Sequence, residues 1–141
     1  MYIKEIMWQT ISYVSTADPS LTTLEMEDLF QLVKQKNNDL GITGILLYSD
    51  GNFMQILEGE KTYIHELFSK IEKDERHYNV IKIFDRQIIN PCFSKYHSDF
   101  KVFGESYSHN ELQNFLEGEK SYNPDNYKSV SYLTKKFMKL S

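Results

Sequence analysis

Cysteine is almost missing from this chain: Cys92 is the only one in 141 residues. No internal disulfide can form, so packing must hold the fold, and a reducing, cytoplasmic setting is expected. Long apolar runs are missing too. No stretch of about 18 apolar residues occurs, which excludes a membrane-spanning helix, and the opening MYIKEIMWQT brings charge in too early for a secretory signal. An excess of positive charge is absent: 16 Lys and Arg stand against 20 Asp and Glu, giving a formal net charge of -4. Basic residues are scattered among acids, which speaks against a nucleic-acid-binding face. His65, His77, His97 and His109 show no ligand spacing with Cys92, so no zinc site is expected. Glycine-rich phosphate loops and a nucleophile elbow are likewise not found. No linker, internal repeat or low-complexity segment appears.

What is there reads as one domain with a real core. The first strand is expected over residues 8–15, with Ile11, Tyr13 and Ser15 on one side and Ser12 and Val14 on the other. Thr16 to Ser20 reads as a loop. Thr22, followed three residues later by Glu25, has the spacing of a capping box and opens a helix that Asn37-Asn38 should end. A second helix is expected from Lys61 to Asp74, with Tyr63, Ile64, Leu67, Phe68 and Ile71 on its apolar face. Strands follow over Val80 to Arg86 and roughly Asp99 to Phe103, with a break at Asn90-Pro91. Two short helices, Ser108–Leu116 and Lys128–Leu140, should close over the bare face of the sheet. The order βαββαββ with two helices on one face is the ferredoxin-like plan of the α+β class with one added strand and a C-terminal helical extension.

The most informative run is Gly41 to Glu60, GITGILLYSDGNFMQILEGE. It reads as two buried strands joined by a turn at Ser49-Asp50-Gly51-Asn52, since Asp and Gly tolerate the left-handed backbone of a tight hairpin. Gln55 falls inside the apolar second strand. A buried amide without partners costs roughly 1–3 kcal/mol, so Gln55 must either have a partner or face water. Glu58-Gly59-Glu60 reads as acids capping the following helix.

This run, together with Tyr13 in ISYVS, Asn37 in QKNNDLGITG and KIEKDERHYN at 70–79, resembles the BLUF domains, blue-light sensors that hold FAD. The resemblance covers about residues 8–103 and implies a flavin-binding domain over 1–104, with 105–141 as the extension. It implies that the flavin lies between the two helices, with Tyr13 as donor of an electron and a proton and Gln55 as the amide that rearranges its hydrogen bonds. Asn37 would bind the edge of the ring; the alternative for Asn37 is a helix C-cap in the left-handed conformation. Leu29 and Ile71 would pack on the two faces of the ring, or belong to the plain core. Lys70 stands where the family often has an arginine near the flavin or its phosphates. Asp74, Arg76 and His77 match the family's D-x-R-H segment and would meet the ribityl, phosphate or adenine portion, or simply form a solvated helix end. Phe93 matches the family, while Tyr96 stands in place of its tryptophan and Ser98 in place of its methionine.

A blue-light photoreceptor without an attached catalytic domain is therefore the leading expectation, acting through a partner protein or through a change of its own assembly, with a homo-oligomer as one form of the latter. Two other readings stay open. One is a flavin-free ferredoxin-like interaction domain, and the other is a small hydrolase on the same plan, because this plan hosts many functions.

Overall fold

Alternation of side chains drives the first strand, β1 (Trp8–Ala17), which runs two residues past the expected end. The reason is Ala17, whose N–H donates to Gly51 O at 2.9 Å and so stays in extended backbone. The computed structural model describes residues 6–88, 100–104, 109–122 and 124–139. Helix α1 (Thr23–Asp39) opens on the expected capping box: Glu25 N–H donates to Thr22 Oγ1 at 3.1 Å, and Thr22 N–H to Glu25 Oε1 at 3.1 Å. Its end differs from the expectation. Asn37 is not a left-handed cap; it lies in the last helical turn, and Leu40 is the capping residue. The left-handed backbone falls instead on Gly41, at φ 69°.

The hairpin forms as β2 (Thr43–Ser49) and β3 (Asn52–Glu60). Asp50 and Gly51 both adopt positive φ, at 51° and 75°, the pattern of a turn whose twist matches that of the flanking strands. Glu60 caps α2 (Lys61–Glu72), its carboxylate accepting from Tyr63 N–H at 3.2 Å. Ile64 and Phe68 are buried, but Tyr63 is 62% exposed and does not belong to the apolar face assigned to it. Strand β4 (His77–Ile88) is longer than Val80–Arg86 at both ends, and β5 (Phe100–Phe103) is short. Helix α3 (His109–Tyr122) runs past Leu116, and α4 (Pro124–Phe137) begins before Lys128 and ends short of Leu140. Pro124 heads α4, because the first helical turn tolerates a missing N–H. Cys92, Phe93, Tyr96, His97 and Ser98, and the break at Asn90-Pro91, lie outside the described residues.

The strands form one sheet in the order β4-β1-β3-β2-β5. β1 is antiparallel to β3 and β4, β2 is antiparallel to β3, and β5 joins β2 in parallel. This is the ferredoxin-like arrangement with β5 added on the β2 edge. Each face of the sheet carries its own core. Ile11, Tyr13, Leu46, Phe53, Leu57, Ile64, Phe68 and Phe100 pack on the side of α1 and α2. Ile45, Leu47, Met54, Ile56 and Phe103 pack against Leu112, Phe115, Leu116 and Val130 of α3 and α4 on the other. β2 approaches β3 so closely at Gly44 (φ 136°) that a Cβ there would lie 1.9 Å from Ile56 O, so only glycine fits. Among the described residues no helix is long and apolar enough to cross a membrane, and no group of three or more His, Cys, Asp or Glu is placed to hold a metal.

Candidate functional site

Helix α1 packs Met26, Leu29, Phe30 and Val33 half-buried against the core on its side of the sheet. Asn37 is its one fully buried residue, and Leu32 is 42% exposed although it lies on the inward stripe. The stripe is turned toward a cleft of about 260 Å³ between α1, α2 and the sheet. Leu29, Leu32, Val33 and Leu40 form one wall and Leu67 and Ile71 the other, with Tyr13, Leu46, Phe53 and Gln55 of the sheet also lining it. Apolar side chains left against open space forgo roughly 25 cal/mol for every Å² they could bury. A ligand with a flat apolar body would recover that energy.

The sheet register puts the polar groups together. Tyr13 of β1 lies directly opposite Gln55 of β3, and Leu46 of β2 lies opposite Gln55 on the other side. The Tyr13 hydroxyl donates to Gln55 Oε1 at 2.5 Å, and both residues are buried. Gln55 thus has a partner for its oxygen. Its NH₂ has none among the described residues, and neither does the side-chain amide of Asn37, which is also buried and lines the same cleft. Two buried amides with open hydrogen-bonding capacity, in walls that are otherwise apolar, fit a flat heterocycle edged with carbonyl and N–H groups.

Electrostatics holds the phenol neutral. Burial raises the Tyr13 pKa well above its usual value near 10, and the negative charge of Asp74 raises it further. Asp74 itself is kept below the ordinary carboxylate range by its hydrogen bond from the Arg76 side chain, against the effect of burial. That contact is a fork: Arg76 Nη2 lies 2.5 Å from Asp74 Oδ2, and Nε lies 2.9 Å from Oδ1. His77, which also lines the cleft, is held at both ring nitrogens. Its Nε2 lies 2.5 Å from Ile71 O and its Nδ1 2.7 Å from Ser15 Oγ. A carbonyl only accepts, so Nε2 carries the proton. The ring stands edge-on to Tyr13 and Phe53, with centroids 6.1 and 6.3 Å away.

All nine residues singled out from the sequence, Tyr13, Leu29, Asn37, Gln55, Lys70, Ile71, Asp74, Arg76 and His77, line this one cleft. Leu46 and Phe53 were not singled out, yet Phe53 was findable, since it stands two residues from Gln55 and must share its face of the strand. Lys36 also lines the cleft, and nothing in its sequence context marks it beyond its position next to Asn37.

The family model described as sensors of blue-light using FAD matches residues 8–99. The photoactivated adenylate cyclase subunit beta of Euglena longa is 36% identical over 74 residues, which are 52% of this chain and 9% of that protein. The chain thus spans less than a tenth of that relative's length. The solved structure named BlrP1 BLUF superposes with a TM-score of 0.74 at 26% identity, covering 96% of this chain and 92% of its own. Klebsiella pneumoniae BlrP1 with FMN and cyclic diGMP superposes with a TM-score of 0.71 at 27% identity, covering 92% of this chain and 34% of its own.

Proposed function

This chain belongs to the BLUF family, the sensors of blue-light using FAD, and on that footing we propose that the cleft between α1 and α2 holds FAD and makes the chain a blue-light photoreceptor. The observation that carries the reading is the contact of Tyr13 with Gln55, beneath an apolar cleft edged by two amides with free hydrogen-bonding capacity. A bound flavin supplies absorption of blue light and, once excited, a strong oxidant. The residues supply the rest. Tyr13 is buried and protonated, so it has both an electron and a proton to give. Gln55 accepts from that phenol and offers its NH₂ to the cleft, so its two ends can exchange roles. Two hydrogen-bond networks of nearly equal energy are what a switch needs.

Leu29 and Ile71 sit on opposite walls, where they would sandwich the ring. Asn37 would bind its polar edge. Lys70, Asp74, Arg76 and His77 also line the cleft and would meet the chain attached to the ring. FAD is proposed over FMN from the family's own description, although one similar structure carries FMN. Residues 1–104 would form the sensor and 105–141 an extension, a division supported by a family match that stops at residue 99. We read the chain as a sensor without chemistry of its own, acting in the cytoplasm on a partner protein or through its own assembly. Neither nucleic acid nor membrane is proposed as a partner. Colour tests the proposal. Purified protein should be yellow, and blue light should shift its absorption reversibly to the red. Protein that stays colourless after incubation with FAD would leave the interaction-domain reading in its place.

A further inference from the structure

The last turn of α1 serves two neighbours. Asn37 lines the cleft, while the next residue, Asn38, reaches the edge of the sheet, where its Oδ1 accepts from Phe100 N–H at 2.5 Å. Phe100 opens β5, the outermost strand on that side. A second contact lies further up the helix: a Cβ on Gly104, just past the end of β5, would lie 3.1 Å from Phe30 Cε2. The spans agree. Phe30 to Asn38 covers about 12 Å of helix, and Gly104 back to Phe100 covers about 13 Å of strand. β5 therefore lies along α1 and meets it at both points. Packing alone holds the helix loosely in rotation. None of its apolar side chains is fully buried, and Met26, Leu29, Phe30 and Val33 are half-buried. Among the described residues, the bond from Asn38 to Phe100 is the only side-chain hydrogen bond from this turn to another element.

Resting on the flavin reading, we propose that Asn38 is a positioning residue: its bond to Phe100 fixes the rotation of the last turn of α1 and so aims the Asn37 amide at the polar edge of the ring. Asn38 does not line the cleft, so it acts through Asn37 and not on the ring. Adjacent residues of a helix point about 100° apart, so one turn presents Asn37 to the cleft and Asn38 to the sheet edge. Turning the helix to break one contact disturbs the other. The backbone beyond is also fixed: Asn37 O accepts from Ile42 N–H at 2.8 Å and Asn38 O from Gly41 N–H at 3.2 Å. Coupling of this kind is reciprocal. If the bond favours the flavin-competent setting of Asn37, bound flavin favours the bond by the same factor.

Titration of the whole chain with FAD, in wild type and variants, tests this. Asn38→Leu keeps the size and removes the acceptor, and it should bind FAD about tenfold more weakly. The infrared carbonyl stretch of its bound ring should shift upward, as a carbonyl does on losing a donor. Asn38→Asp keeps an oxygen at the same reach and should stay within about threefold of the wild type, with the stretch unmoved. In an Asn37→Ala background, Asn38→Leu should change FAD affinity by less than about twofold, since no amide is left to aim. In the wild type, hydrogen exchange at the Phe100 amide should be about tenfold slower with FAD bound, relative to the other amides of β5. Wild-type affinity and carbonyl stretch in Asn38→Leu overturn the proposal. A full loss that persists in Asn37→Ala also overturns it, because Asn38 would then act without Asn37. Equal relative exchange at Phe100 with and without FAD overturns it even where Asn38→Leu fails to fold. A wild type that takes up no FAD overturns the flavin reading itself, which zero uptake distinguishes from a failed positioning role.

Discussion

Tyr13 has one hydroxyl proton and gives it to Gln55, so the orientation of the amide is fixed from one side only. Replacing the phenol by a phenyl ring keeps the volume and removes that bond. Tyr13→Phe should keep flavin bound, cost about 1–2 kcal/mol because a buried amide oxygen loses its donor, and abolish the reversible red shift; a normal photocycle would show that Tyr13 is not the donor. Alkaline pH gives a second readout. The folded-state pKa of Tyr13 lies above the unfolded value near 10. Its contribution is therefore complete below pH 10 and is lost as pH rises beyond it. The stability gap between wild type and Tyr13→Phe should narrow above about pH 10, as denaturant titrations at successive pH values would report. Gln55→Leu removes the bridging amide and suits an apolar strand, so the protein should fold and bind flavin without the spectral shift. An undiminished shift in that variant would place the switch elsewhere.

Elements were legible wherever their ends are written in side chains, and less so where the surroundings decide. The start of α1 stood in Thr22 and Glu25, and the hairpin stood in Asp50-Gly51. The end of α1 was misplaced because asparagine suits two environments, and here Asn37 is held inside the last turn to face the cleft. Tyr63 matched the apolar period of α2 yet lies outside, because a period does not say how wide the buried stripe is. The cleft had the same ambiguity: Leu29 and Ile71 carry the same pattern whether they meet a protein core or a ligand. Lys36 was invisible for a related reason, as one lysine on a helix has no partner in sequence with which to be read. Gly44 shows how closely the hairpin is fitted. Gly44→Ala combines a positive φ with a Cβ driven onto Ile56 O, so β2 would have to move away from β3. We expect a loss of at least about 2–3 kcal/mol and weakened flavin retention, measured by thermal melting and by bound-flavin absorbance. Wild-type stability would mean that the strands can separate there without cost.

On the scale of the molecule, one carboxylate ties three elements together. Asp85 of β4 accepts from Gln9 of β1 at 2.5 Å and from Lys82 of its own strand at 3.0 Å, and it lies 3.1 Å from His65 Nε2 of α2. Burial alone would raise its pKa, but the hydrogen bonds from Gln9, Lys82 and His65 together outweigh this and hold it down to about 2. A depressed carboxylate contributes stability above its unfolded pKa near 4 and loses it as pH falls toward the folded value. Asp85→Asn should therefore cost about 1 kcal/mol at pH 7, and the difference should vanish by about pH 2. Urea midpoints at the two pH values would decide it, and a gap unchanged at pH 2 would mean that the charge is not the cause. β3 occupies the other extreme of solvent access. It is bonded to β1 along one edge and to β2 along the other, with a separate core on each face. Local opening cannot expose such a strand without disrupting the whole sheet, so its amides from Phe53 to Leu57 should exchange with deuterium among the slowest in the protein. Gln55 thus sits in the strand least able to open, so the proposed turnover of its amide would leave the backbone that carries it still.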